Sequence, residues 1–317
     1  MPSRARSILT AYPELVAVLA AAVLGLSAAR PLAWLAGHQG INALLAILVF
    51  ATATAIEPAA LRRLAQAWRS LLVAVAVGIT VLPALSWAVS RIVAAGSLRD
   101  GIMAVGLAPC EIASVATTAM AGGEAAASAG ILIGSTVATV ALAGPVLTLE
   151  AGRAGVSPGD IIVNLALVVA LPLAAGLAAR ASASRLAATR FLSTPRAEAV
   201  ASRTALAAVA ALVALIAAEV HLSVAYLAVA AALLVFLLGS ALAGRFLGVR
   251  SARPTATALL LTTSMRDFAI AAGLAAAAFG PAAAAPLGLY GVVVLVWGTA
   301  VAGVLRQRAA RPGRVAE

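Results

Sequence analysis

Two stretches carry nearly all the residues capable of chemistry. The first is Pro109-Cys110-Glu111-Ile112-Ala113-Ser114-Val115-Ala116-Thr117-Thr118, with a thiol, a carboxylate and three hydroxyls behind a proline. The second is Thr262-Thr263-Ser264-Met265-Arg266-Asp267-Phe268, which adds a guanidinium and a second carboxylate. Both lie inside apolar runs, about Leu98 to Ala121 and about Thr255 to Phe279. A charged group at membrane depth costs roughly 2.5–3.5 kcal/mol even on the lenient insertion scale, so such residues face a cavity or a partner and mark a pathway.

Several kinds of chemistry follow from these residue types. The fork of Arg266 suits a substrate carboxylate, a place as a tethered cation, or a structural pair with Glu111 or Asp267. Glu111 is a candidate proton carrier or a fixed counter-ion, and Asp267 is a second candidate for the coupling proton. On a helix Arg266 and Asp267 point about 100° apart, so Asp267 either caps a helix or meets substrate. Pro109 removes one helical N–H and breaks the first run. Half-helices starting near Ser114 and Asp267 then offer free N–H groups and a positive dipole end to an anion. Ser114, Thr117 and Thr118 add hydroxyls, unless these bond back to the preceding turn. The lone Cys110 is poor metal chemistry without a second soft ligand, and a small buried residue is its default role.

The elements that position these groups are membrane spans. The chain has 317 residues, 63% of them hydrophobic and 10% charged, with a mean hydropathy of +1.08. That is far outside soluble composition. Apolar runs of about 20 residues recur throughout, the length of a spanning helix, and no barrel-like alternation appears. The net charge of +11 does not point to nucleic acid, because the arginines sit between the runs. One cysteine rules out an internal disulfide. The first apolar run continues as a full span, so no removable signal peptide is expected. No P-loop, zinc spacing or hydrolytic acid pair occurs, and neither an enzyme nor a cofactor is expected.

Ten spans are expected: about Glu14–Leu35, Ile41–Ile56, Leu71–Val93, Leu98–Ala121, Glu124–Leu149, Pro158–Ala179, Thr204–Ala218, Leu222–Leu247, Thr255–Phe279, and a tenth ending near Leu305. Glu57-Pro58 ends the second, Gly122-Gly123 the fourth and Gly280-Pro281 the ninth. Ser157-Pro158-Gly159-Asp160 and Ser193-Thr194-Pro195 are helix-start signals. Trp34, Trp68 and Trp87 fall near span ends, as an aromatic belt requires, while Trp297 does not; His38 and His221 lie in connections. With the N-terminus in the cytoplasm, seventeen arginines fall inside and four (Arg30, Arg91, Arg99 and Arg153) outside. This is the asymmetry of the positive-inside rule, and it puts both termini on the cytoplasmic face of the cell membrane. Spans one to five and six to ten form two inverted halves. The interrupted fourth and ninth hold matching positions, with Ala113-Ser114-Val115 set against Met265-Arg266-Asp267. Interrupted spans at matching places are the sequence pointer to a secondary transporter's site.

At these residues the chain resembles the bile acid:sodium symporter family. Pro109 through Gly123-Glu124 is similar to that family's fourth-span motif, and Ser264-Met265-Arg266-Asp267-Phe268-Ala269 to Phe279-Gly280-Pro281 to its ninth. The resemblance covers essentially the whole chain. It implies an all-α polytopic fold with a core domain (71–149 and 222–305) and a panel domain (14–56 and 158–219), and with broken helices 4 and 9 crossing near the midplane. It also implies an organic-anion substrate, often carried with sodium.

The chain departs from the family's ion sites. Ser114 and Ser128 keep their hydroxyls, but Val115 and Leu132 stand where an asparagine and a second hydroxyl are implied. Thr262 replaces a glutamate and Arg266 a glutamine. With the negative charge gone and a guanidinium added, the expected coupling ion is a proton or none, rather than sodium. The resulting expectation is a secondary transporter of a small organic anion in the lipid bilayer, with no nucleic-acid partner and an open oligomeric state. The alternatives are an arsenite or metalloid exporter using Cys110, a sodium-coupled organic acid symporter with a rearranged ion site, and a ligand-binding sensor or scaffold that moves nothing.

Overall fold

The computed structural model describes residues 13–54, 68–151, 157–183, 194–220 and 223–309. The chain is all helix there apart from turns and one isolated bridge. Fourteen α-helices follow in order: α1 (Pro13–Ser27), α2 (Ala29–Leu35), α3 (Ile41–Ala53), α4 (Trp68–Ser90), α5 (Ser97–Leu107), α6 (Ala113–Met120), α7 (Ala125–Ala151), α8 (Pro158–Leu165), α9 (Leu171–Ala183), α10 (Pro195–Ala218), α11 (Ala225–Gly248), α12 (Arg253–Ser264), α13 (Phe268–Phe279) and α14 (Ala285–Ala309). A wide π turn at Ala36–Gly40 joins α2 to α3, another at Ala166–Ala170 joins α8 to α9, and a 3-10 turn at Pro281–Ala284 leads into α14.

Seven helices among the described residues are long and apolar enough to cross a bilayer, among them Leu71–Ser90, Ala125–Glu150 and Ala225–Gly248. The two chemistry-bearing runs are missing from the seven because each is cut in two. The halves α5, α6, α12 and α13 run 11, 8, 12 and 12 residues, and about 20 are needed to span. Large apolar side chains such as Leu167, Leu227 and Phe246 point outward and stand 59%, 72% and 74% exposed. In water such a surface is a liability; in hydrocarbon it is the solvent-compatible face.

The start and stop signals act as the sequence expects. Ser157 accepts from Asp160 N at 3.3 Å with Pro158 next, and Thr194 accepts from Ala197 N at 3.3 Å with Pro195 next. These are N-caps followed by proline in the first turn. Gly122 ends the α6 run with φ +73 and Gly280 ends α13 with φ +90, a left-handed conformation that glycine adopts without penalty. Glu124 precedes α7; its N–H donates to Pro254 O at 3.0 Å and its carboxylate accepts from Thr255 Oγ1 at 2.7 Å. It thereby ties the start of α7 to the start of α12.

The first expected span departs from its reading. It breaks at Ala28, whose φ −110 and ψ 39 separate α1 from α2. His38 and Gln39 leave helical geometry (φ 66 at Gln39) between α2 and α3. Trp34 stacks on His38 with centroids 4.3 Å apart, and Arg91 lies 4.4 Å above Trp87. Glu57-Pro58, Arg4, Arg6, Arg62, Arg63, Arg153, Arg185, Arg190, Ser193, His221, Arg311 and Arg314 lie outside the described residues.

Candidate functional site

The two interruptions meet. α5 stops at Leu107, and Ala108 is extended (φ −63, ψ 150) just before Pro109. α12 stops at Ser264, and Met265 (φ −91, ψ 103) and Asp267 (φ −71, ψ 105) are extended as well. The two extended stretches pair as a short antiparallel bridge centred on Cys110 and Arg266. Glu111 N donates to Met265 O at 2.8 Å, and Asp267 N donates to Pro109 O at 2.9 Å. Part of the backbone that each helix leaves unpaired at its break is thus satisfied by the other break. Inside hydrocarbon this is the condition for unwound chain to exist at all.

Every residue singled out in these stretches is buried or nearly so. Arg266 is 2% exposed, Asp267 1%, Glu111 7%, Thr117 7%, and Ser114, Thr118, Ser128 and Thr262 are at 0%. The guanidinium of Arg266 donates through Nη2 to the carbonyl of Ala108. Leu107 O, one residue earlier, accepts from Thr139 Oγ1 at 2.9 Å. A cation therefore sits at the C-terminal, negative end of the half-helix α5, where unpaired carbonyls gather. The structural pairing of Arg266 with Glu111 is not what the side chains do: Arg266 Nε and Glu111 Oε2 are both buried without a hydrogen-bond partner.

The carboxylates occupy the opposite, positive helix ends. Asp267 caps α13, its Oδ1 accepting from Ile270 N at 2.8 Å. Glu111 faces the backbone N–H groups of Phe268, Ala113 and Ile112, the first turns of α13 and α6. The N–H groups expected to await an anion thus have carboxylates beside them, Asp267 hydrogen-bonded to its own helix end and Glu111 close by.

The hydroxyls divide. Thr117 Oγ1 donates to Ala113 O at 2.8 Å and Thr262 Oγ1 to Ala258 O at 2.7 Å. These bonds to the preceding turn use the hydroxyl hydrogen, so neither side chain donates to an anion. Thr118 Oγ1 donates to Ser128 Oγ at 3.4 Å, joining α6 to α7. Ser114 Oγ has no hydrogen-bond partner. Of the five partnerless buried side-chain polar atoms among the described residues, three (Glu111 Oε2, Ser114 Oγ and Arg266 Nε) belong to the two breaks. Buried polar atoms are nearly always bonded, so their concentration here marks a place built for something other than rest.

Cys110 is fully buried. Its N–H donates to Ser135 Oγ at 3.2 Å, and that hydroxyl lies 3.7 Å from the sulfur. No cluster of three or more His, Cys, Asp or Glu able to hold a metal exists among the described residues.

Sequence reasoning missed three supporting groups. Tyr290 of α14 is fully buried; its hydroxyl accepts from Arg266 N at 3.3 Å and lies 3.5 Å from Ser264 O. Trp297, the tryptophan that did not fit an interfacial belt, donates through Nε1 to Ser264 Oγ at 3.0 Å. Gly78 of α4 leaves the room the guanidinium fills: a Cβ there would stand 3.4 Å from Arg266 Nη1. A polar aromatic deep in an apolar run was the only advance signal for Tyr290 and Trp297; Gly78 had none.

No curated protein matches the chain. The family model described as the sodium bile acid symporter family matches residues 42–230, which takes in the first break entirely and stops short of the second. That match spans more than half of the sequence. Together with the apolar helices, it makes this a multi-pass membrane protein of a transporter family, not an enzyme family: the chain belongs to the sodium bile acid symporter family.

Proposed function

We propose that the protein is a secondary transporter of a small organic anion, working by alternating access, with its site where the two interrupted helices meet. In this reading the chain has ten spans in two inverted halves and cytoplasmic termini, and a core (71–149 and 222–305) rocks against a panel (14–56 and 158–219). The observation that carries it is the paired break with a guanidinium at the α5 carbonyl end. In transporters of this build, half-helix C-terminal ends and unwound carbonyls hold the coupling cation, and half-helix N-terminal ends hold the anion. Arg266 is the cation here, tethered in place of sodium.

Glu111 then supplies the coupling. While ionised, its charge stands beside the N–H groups of Phe268, Ala113 and Ile112. When it takes a proton, those positive helix ends lose their resident anion and can receive a substrate carboxylate. Ser114 Oγ, buried and partnerless, is placed to donate to the same group, with Thr118 beside it on α6. Asp267 keeps the second half-helix capped throughout the cycle. Proton and anion enter together, and no net charge needs to be buried.

The test is uptake of a panel of radiolabelled organic acids into proteoliposomes, with sodium or choline outside and with or without an inward proton gradient. Uptake of at least one acid that is driven by the proton gradient and indifferent to choline is expected. A strict sodium requirement would mean that Arg266 does not replace the ion.

A further inference from the structure

Helices α3 and α9 each present two faces. One carries Val49, Ala53 and Leu173, joined by Val169 of the π turn before α9, and packs toward Ile112 and Ile270 beside the breaks. The other carries Ile47, Phe50, Leu171 and Ala175 and, with Val200 and Thr204 of α10, walls a separate cleft of about 840 Å³. None of the break residues reaches this cleft. Ile47, Phe50, Leu171 and Val200 stand 42–62% exposed, so it opens on the outer surface of the bundle. Its volume lies within the roughly 300–1,000 Å³ typical of ligand sites.

The lining changes character at one end. There the C-terminal ends of α3 and α9 and the start of α10 bring Thr54, Arg180, Thr194 and Arg196 to the cleft. Among the described residues that line it, none is acidic. A small soluble anion would use the arginines but gain nothing from the long apolar wall. An uncharged hydrocarbon would use the wall but not the arginines. The geometry points to an anionic phospholipid as the occupant, its acyl chain along α3, α9 and α10 and its phosphate between Arg180 and Arg196. Basic pockets between spanning helices bind anionic headgroups in this way, and each nearby arginine contributes through the surface field as well as by direct hydrogen bonds. The site lies on the far side of α3 and α9 from the breaks and does not depend on what the protein carries.

Native mass spectrometry of the full-length purified protein tests this, with equimolar phosphatidylglycerol and phosphatidylcholine of identical chains. Retention of phosphatidylglycerol is expected to exceed that of phosphatidylcholine on the order of tenfold. The double substitution R180Q/R196Q should abolish the preference while leaving phosphatidylcholine retention unchanged. Ala175→Trp should fill the cleft and lower retention of both. Equal retention by the unsubstituted protein, or an undiminished preference in R180Q/R196Q, overturns the assignment. So does thermal stabilisation by glycerol 3-phosphate equal to that by the lipid, because the apolar wall would then play no part. If Ala175→Trp does not fold, the arginine substitutions, at the ends of the helices, decide alone.

Discussion

The break after α5 and the break after α12 meet at one point but arise differently. The first carries its own breaker: Pro109 cannot donate and its ring crowds the preceding turn, and the bridge completes the opening, since Pro83 and Pro145 lie inside unbroken α4 and α7. The second contains neither proline nor glycine between Ser264 and Phe268. It opens because Met265 O and Asp267 N are drawn into the bridge with Glu111 and Pro109, and because Asp267 restarts the helix as an N-cap. One interruption is begun by its own residues; the other is induced by its partner. The charged groups follow the same asymmetry. The induced break carries the guanidinium, and the proline break supplies the carbonyl that receives it.

The largest expected effect separates the two. Arg266→Gln removes the cation from the α5 end, and uptake into proteoliposomes should fall to background; wild-type uptake would reduce the guanidinium to a structural brace. Next comes Glu111→Gln, in which the pH dependence of uptake should disappear while substrate exchange across an equilibrated membrane persists. An unchanged pH profile would move proton coupling elsewhere. Gly78→Leu should reproduce most of the Arg266→Gln loss by displacing the guanidinium, whereas Gly78→Ala, whose Cβ would stand 3.4 Å from Nη1, should retain transport. Equal behaviour of the two would show that the side chain has room to move.

The smallest effects bear on the breaks themselves. Asp267→Ala loses an N-cap and should cost about 1 kcal/mol in unfolding free energy. Pro109→Ala should cost less, because the bridge bonds of Glu111 and Asp267 remain to hold the chain open. The order reversed, measured by denaturant titration in detergent, would mean that the bridge bonds do not suffice to hold the first break open without its proline.

Much of this was legible without coordinates because membranes make sequence unusually explicit. Hydrocarbon penalises every unpaired polar group, so the runs, the caps at Ser157 and Thr194 and the glycine stops at Gly122 and Gly280 leave plain marks. The charged residues stood out for the same reason. Arg266 and Asp267 do diverge, but not by a helical angle. Both lie in extended chain, where successive side chains point to opposite sides, so one goes to Ala108 O and the other to Ile270 N.

The amino-acid order alone therefore determined that the chain belongs in a bilayer, where its chemistry is concentrated and that the run holding Pro109 carries a helix breaker. Only the tertiary structure decided which groups meet. It sent Arg266 to a carbonyl rather than to Glu111, set Glu111 against two helix ends at once, and brought Tyr290, Trp297 and Gly78 to the same point. The physical reason is that helical periodicity specifies a partner only while the chain remains a helix. Where it opens, direction is set by whichever donor or acceptor across the gap is left without water.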